Sequence, residues 1–172
     1  MPHKEESLTE RENMTIKCYS SIRSLLKYDE VFAREGHPFQ RICVLAGVTN
    51  IVNRVWGVLK GFGHIKFYVV YKDGTPIIVV PLYVKAGIGR VIGSGRERMD
   101  CVDFLYNAKL KEHWEEALNV LMATFKQNGI TKIVADFVSA DSPLLVLKKE
   151  IEKTGETLNS SISLKEFPSH AD

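Results

Sequence analysis

The chain has 172 residues, of which 45% are hydrophobic and 26% are charged, a composition typical of one folded domain. The 23 Lys and Arg residues nearly balance the 21 Asp and Glu residues, for a net charge of +2, which argues against a strongly basic nucleic-acid-binding domain. No apolar run reaches the length of about 18 residues that a membrane span needs, and the charged N-terminus lacks the apolar core of a secretory signal. We therefore expect a cytoplasmic protein that binds no nucleic acid.

The three cysteines and five histidines are scattered along the chain. Cys18, Cys43 and Cys101 form no CxxC pair and no zinc spacing, so we expect free, buried thiols in a reducing compartment. Neither the spacing nor the neighbours of the histidines favour a metal site or a nucleophilic triad. The sequence therefore predicts no metal site.

The N-terminal part of the chain predicts a tail, a strand and a helix in turn. Residues 1–13 are polar and charge-dense without periodicity, which predicts a disordered tail. The alternation in Met14–Tyr19 predicts a strand. Ser20 or Ser21 can then cap a helix, whose apolar residues recur at spacings of three and four until Gly36 ends it.

A second helix is predicted over Ile42–Lys60, followed by a β-hairpin. The apolar runs Ile65–Tyr71 and Pro76–Lys85 flank Asp73-Gly74, a turn signature because glycine tolerates the positive φ that the turn requires. Pro81 lies inside the second run and cannot donate a ladder hydrogen bond. It therefore predicts an edge position or a bulge.

The rest of the chain alternates strands with helices. A third strand of the meander begins at Arg90–Gly93, breaks at Ser94–Met99, and is expected to resume at Cys101–Tyr106. The later elements are a helix over Lys111–Asn128, a strand over Ile130–Phe137, a helix opened by Asp141-Ser142-Pro143 with Ser142 or Asp141 as its cap, and a strand over Thr157–Lys165. In the first of these helices the apolar residues fall on one stripe at helical spacing, namely Trp114, Ala117, Leu118, Leu121, Met122 and Phe125. The predicted order is β-α-α-β-β-β-α-β-α-β, an α/β fold with a mixed sheet and helices on both faces.

Short motifs distributed along this order point to one family. They are Pro38-Phe39-Gln40, Trp56, Lys72-Asp73-Gly74, Val80-Pro81-Leu82, Gly93, Asp100, Asp103, Asp136-Phe137, Ser142-Pro143-Leu144 and Ile162-Ser163-Leu164. With them, residues 14–172 resemble the GNAT acyltransferase superfamily, and most closely the first half of the CelD/FemAB-like acyltransferases, which carry two GNAT-like halves in one chain. The resemblance implies transfer of an acyl group from acetyl-CoA or another acyl donor to an amine or hydroxyl. The acceptor would be a small molecule or a glycan precursor, as in polysaccharide or cell-envelope synthesis.

The resemblance also implies that the donor site lies in the second half. A coenzyme A pyrophosphate is held by a glycine-containing loop before a helix N-terminus, and Phe104–Lys111 contains no glycine. We therefore expect no cofactor in this chain. Phe167–Asp172 resembles a helix start with Ser169 as its cap, so we expect a GNAT-like domain over residues 14–166, with 167–172 beginning a missing second half. A frayed polar tail is the alternative interpretation.

The candidate substrate-binding residues follow the third strand. Arg96 and Arg98 can hold an anion through paired hydrogen bonds, while Asp100 and Asp103 add carboxylates. By resemblance, this segment faces the acceptor substrate. The alternative is a solvated loop with local ion pairs. No residue is assigned a catalytic role, and a stand-alone, degenerate GNAT-fold binding module without catalysis remains the second hypothesis.

Overall fold

The computed structural model describes residues 6–11, 14–33, 41–58, 63–92, 104–138, 145 and 161–166. Its strands are β1 (Glu6–Arg11), β2 (Met14–Tyr19), β3 (His64–Lys72), β4 (Thr75–Lys85), β5 (Ile88–Val91), β6 (Leu105–Tyr106), β7 (Lys132–Val138) and β8 (Ser161–Glu166). Its helices are α1 (Asp29–Phe32), α2 (Ile42–Val58) and α3 (Trp114–Gln127), with 3-10 helices at Ile22–Tyr28 and Ala108–His113. All described strands join one open sheet of order β1-β2-β3-β4-β5-β7-β8, with β6 paired to β4. The chain is therefore a mixed α/β protein.

The edge strand β1 was not predicted from the sequence. It pairs antiparallel with β2, inside the segment for which we expected a disordered tail. Its sequence, ESLTER, is mostly polar and gives no alternating apolar signal. Pairing through backbone groups leaves no trace in side-chain composition, and that explains the difference. The next strand, β2, has the predicted bounds.

The first predicted helix forms as a 3-10 helix followed by the single turn α1. Ser21 is its N-cap, and its Oγ accepts a hydrogen bond from Arg23 N at 3.3 Å. The carboxylate of Asp29 then reaches the start of α2, where it accepts a hydrogen bond from Cys43 N at 2.7 Å. That bond satisfies one of the N–H groups that a helix start leaves without an intrahelical partner.

Arg41 holds the same carboxylate from the other side. Its Nε donates to Asp29 Oδ2 at 3.0 Å, and its Nη2 pairs with Asp29 and with Glu30. Burial opposes ionisation of Asp29, but the hydrogen bonds from Cys43 and Arg41 outweigh it and lower the pKa of Asp29. The contact ties α1 to the beginning of α2.

The predicted β-hairpin is confirmed. Strands β3 and β4 pair antiparallel along their length, and the turn residues Asp73 and Gly74 have φ values of 48° and 78°. Two consecutive positive φ angles are the mark of a tight hairpin turn whose twist matches that of the strands. Gly74 is suited to this conformation because it has no Cβ.

Each face of the sheet has its own hydrophobic core. Along β3, Tyr68 and Val70 point to the face covered by α3, whereas Phe67 and Val69 point to the face covered by the first helices and α2. The α3 residues of the first core are Trp114, Ala117, Leu118, Val120, Leu121, Met122 and Phe125. They include all six apolar positions that the helical spacing placed on one stripe of this helix. Helices thus cover both faces.

The last described strands are parallel. β7 pairs parallel with β5 on one side and with β8 on the other, and parallel neighbours require crossover connections. The final strand lies within one to four residues of its predicted bounds, Thr157–Lys165. The helix predicted to open at Ser142 falls outside the described residues, apart from a helical Leu145.

Candidate functional site

Strands β5 and β6 are two pieces of one strand position. β5 pairs antiparallel with Leu82–Lys85 of β4, and β6 pairs antiparallel with Ile78–Val79 of the same strand. Both lie on the same side of β4, because its other side is occupied by β3. The prediction of a third strand in two parts is therefore confirmed for its described residues, β5 and β6. The predicted break and the predicted resumption at Cys101 lie among residues 93–103, outside the described residues.

Pro81 lies where this strand position is interrupted. Its carbonyl accepts a hydrogen bond from Ile92 N at 3.0 Å, on the β5 side. The predictions of an edge position or a local bulge are both wrong. β4 has neighbours on both sides, and the register shift against β3 lies between Val70 and Tyr71. A residue without an N–H is tolerated here because its ring nitrogen faces the interval between β5 and β6.

The pairing of the sheet also divides at the position along the strands where β5 gives way to β6. β7 pairs with β5 only through Lys132–Val134, and its later residues, Ala135–Val138, pair with β8 alone among the described strands. Among the described strands, β6 pairs only with β4. We call this division between β6 and the end of β7 the sheet opening. At the sheet opening, the carboxyl end of β7 has no described strand beside it on the β6 side.

The predicted substrate residues Arg96, Arg98, Asp100 and Asp103 lie outside the described residues. The two residues that flank their segment are described. Ile92 is 5% exposed and belongs to the core on the α2 side, while Phe104 is 1% exposed and belongs to the core on the α3 side. These two flanking residues, directly after β5 and directly before β6, are both buried beside the sheet opening.

Asn107 is a buried polar residue whose role was not predicted from the sequence. It is 3% exposed, its Nδ2 donates to Pro76 O at 3.0 Å, and its Oδ1 accepts from Lys109 N at 3.1 Å. Its carbonyl accepts from Trp114 Nε1 at 2.9 Å and from Leu110 N at 3.1 Å. Two N–H groups at the start of the 3-10 helix that leads to α3, those of Lys109 and Leu110, are therefore already engaged. An asparagine just before a helix start is a capping signal that could have identified it.

A group of tyrosines lies on the α2 face of the sheet. The hydroxyls of Tyr19 and Tyr71 are 2.8 Å apart, and the ring of Tyr28 meets that of Tyr71 edge-on at 6.1 Å. Burial, followed by these hydroxyl contacts, raises the pKa of Tyr71. On the opposite face, burial also raises the pKa of Tyr68, whose ring packs edge-on against Phe125 at 5.0 Å. Phenols held neutral in this way contribute packing and hydrogen bonds.

The cysteines differ in part from the prediction of buried thiols. Cys18 is half-buried and Cys43 is exposed, and neither forms a disulfide. Cys43 is exposed because its neighbours on α2, Ile42 and Leu45, turn toward the sheet. Cys101 lies outside the described residues. Across the part of the chain that is described, no three His, Cys, Asp or Glu side chains are grouped to hold a metal ion.

The described helices include none that is both long enough and apolar enough to cross a membrane. Comparison of the chain with protein-family models, with curated proteins and with solved structures gives no match.

Proposed function

We propose that this chain is the acceptor-side half of a GNAT-type N-acyltransferase. It would bind the amine or hydroxyl acceptor, while a second GNAT-like half holds acetyl-CoA or another acyl donor. The observation that supports the proposal most directly is the sheet opening, at which an antiparallel meander gives way to the parallel pair β5–β7. A division of this kind gives an acceptor access to the carboxyl ends of the strands.

The four residues predicted to bind the substrate suit an acceptor better than a metal or a nucleophile. Arg96 and Arg98 carry forked donors that match a carboxylate or phosphate on the acceptor. Asp100 and Asp103 can accept hydrogen bonds from its amine or hydroxyl. In such transfers the protein chiefly positions the reactants and stabilises the developing oxyanion, while an acid–base group moves the proton.

The start of the helix after β6 supports assigning the donor to another half. A pyrophosphate site needs free N–H groups at a helix N-terminus. Here Lys109 N donates to Asn107 Oδ1 and Leu110 N donates to Asn107 O. The same observation favours the second candidate function, a GNAT-fold binding module that performs no transfer.

The test is steady-state kinetics on the product of the complete gene. The release of free thiol from acetyl-CoA is the readout, and the acceptors are a panel of amino sugars, amino acids and polyamines. For the best acceptor, we expect the double variant Arg96→Ala/Arg98→Ala to raise the KM for acceptor at least tenfold, because two charge-assisted hydrogen bonds are lost at about 1.5–3 kcal/mol each. The KM for acetyl-CoA should change less than twofold.

The control is Lys109→Ala, which removes an exposed cation from the neighbouring 3-10 helix. We expect both KM values to stay at those of the unmodified protein. A rise in the KM for acetyl-CoA in the arginine variant would place the donor near residues 93–103 and contradict the assignment of the two halves. Unchanged KM values in that variant would remove these arginines from the site.

A further inference from the structure

A basic groove lies at the other end of the sheet from the sheet opening. It has a volume of about 780 Å³, within the range of about 300–1,000 Å³ that small-molecule sites occupy. Its walls come from the end of β2, the first 3-10 helix, the middle of α2 and the start of β3. The carboxyl ends of β5 and β7 point away from it, because β2 runs antiparallel to both.

Among the described strands, none pairs with the start of β3 on its groove side. β2 ends at Tyr19, opposite Phe67, so the β3 residues before Phe67 have β4 on one side and no described strand on the other. Pro81, opposite Phe67, directs its carbonyl toward Ile92 on the β5 side. The backbone groups of Phe67 therefore point toward β2. Backbone groups of an antiparallel strand alternate between its two sides, so residues two apart direct their groups to the same side. The N–H and C=O of Ile65, two residues before Phe67, therefore point into the groove.

Three basic side chains line the groove. Arg23 and His64 are exposed and Lys66 is half-buried, and the described lining includes no Asp or Glu. Within the ranges that are described, none of the three forms an ion pair with a carboxylate. Their combined field favours an anion, and a concave surface concentrates that field.

The groove also exposes an apolar side chain. Leu26 is 44% exposed and is one of two large hydrophobic residues that the described chain leaves open to solvent. It stands one helical turn from Arg23 on the 3-10 helix. Since small-molecule sites combine an apolar wall with a few convergent polar groups, the groove has both parts of such a site.

We propose that the basic groove binds a small organic anion. A carboxylate or phosphate head would contact Arg23, Lys66 and the backbone N–H of Ile65, and an apolar body would pack against Leu26. The site is separate from the sheet opening, so this proposal does not depend on the proposed acyl transfer.

The test is isothermal titration of the protein with benzoate and with phenyl phosphate, and with benzyl alcohol as the neutral control. We expect at least one anion to bind with a Kd below the millimolar range, and its affinity to fall as salt is added. The alcohol should not bind. The stronger of the two anions tells whether the head group is a carboxylate or a phosphate.

The variants are Arg23→Gln and Lys66→Gln, with Lys72→Gln as the matched control at the far end of the same strand β3. We expect the first two to raise the Kd at least tenfold and the control to change it less than twofold. Arg23 is exposed, so its variant keeps the test valid even if Lys66→Gln impairs folding. The proposal is overturned if neither anion binds, or if binding survives both groove variants.

Discussion

The two buried phenols, Tyr68 and Tyr71, should make the folded protein less stable as the pH rises into the alkaline range. Burial raises the pKa of both above the ordinary value of 10.0. Between that value and the folded-state pKa, the unfolded chain has released protons that the folded chain keeps. The unfolded state therefore binds fewer protons, and stability falls as pH rises.

We expect the free energy of unfolding in urea to be constant with respect to these two groups below about pH 9 and to decrease above about pH 10. Tyr71→Phe removes one of the two groups, so its stability should decrease less steeply over the same interval. Tyr83→Phe, on a half-buried tyrosine, is the comparison. An identical pH dependence in Tyr71→Phe and the unmodified protein would show that Tyr71 ionises normally in the folded state.

Individual residues also mark where sequence reasoning succeeds and where it stops. The burial of Trp114 followed from helical spacing, because a helix with one apolar stripe packs that stripe against the sheet. The role of Asn107 did not follow, since its partner Pro76 O lies 31 positions earlier in the chain. A capping asparagine is visible in a sequence, whereas the strand whose carbonyl it also satisfies is not.

At the scale of elements, the two glycines Gly74 and Gly47 offer a clean comparison. A Cβ added at either position would meet no atom within 4 Å, so packing does not enter the result. Gly74 has a φ of +78° in the β3–β4 turn, and alanine there costs about 1–2 kcal/mol. Gly47 lies within α2, where alanine is favoured over glycine by about 0.8–1.0 kcal/mol.

We therefore predict that the same substitution acts with opposite sign at the two sites. In urea unfolding, Gly74→Ala should lower the midpoint and Gly47→Ala should raise it, with the slope unchanged in both. Stabilisation by Gly74→Ala would mean that the turn adopts another conformation in solution. Destabilisation by Gly47→Ala would mean that α2 does not extend through this residue as a regular helix.

Elements with strong local signals were predicted almost to the residue. The alternation in β2, the Asp-Gly turn and the stripe on α3 each encode their structure in a few neighbouring side chains. Pro81 was misread because its setting depends on two other strands, β5 and β6, that share one position beside β4. Strand β1 was missed because its polar side chains carry no periodic signal.

At the scale of the whole molecule, the described sheet combines an antiparallel meander with three parallel strands, β5, β7 and β8, and the sheet opening is its most informative feature. The mixed α/β class with helices on both faces could be predicted from the order of elements. The sheet opening could not, since it depends on which residues of β7 pair with β5 and which pair with β8 alone. Pairing at that distance along the chain leaves no local pattern.

Thiol release from acetyl-CoA is the measurement that decides whether this chain supplies the acceptor side of an acyl transfer. We expect the complete gene product to release thiol only when an amine or hydroxyl acceptor is added. We expect no release by residues 1–172 alone, because Asn107 occupies N–H groups at their helix start after β6. Turnover by residues 1–172 alone, or no acceptor-dependent release by the folded complete product across the acceptor panel, would contradict it.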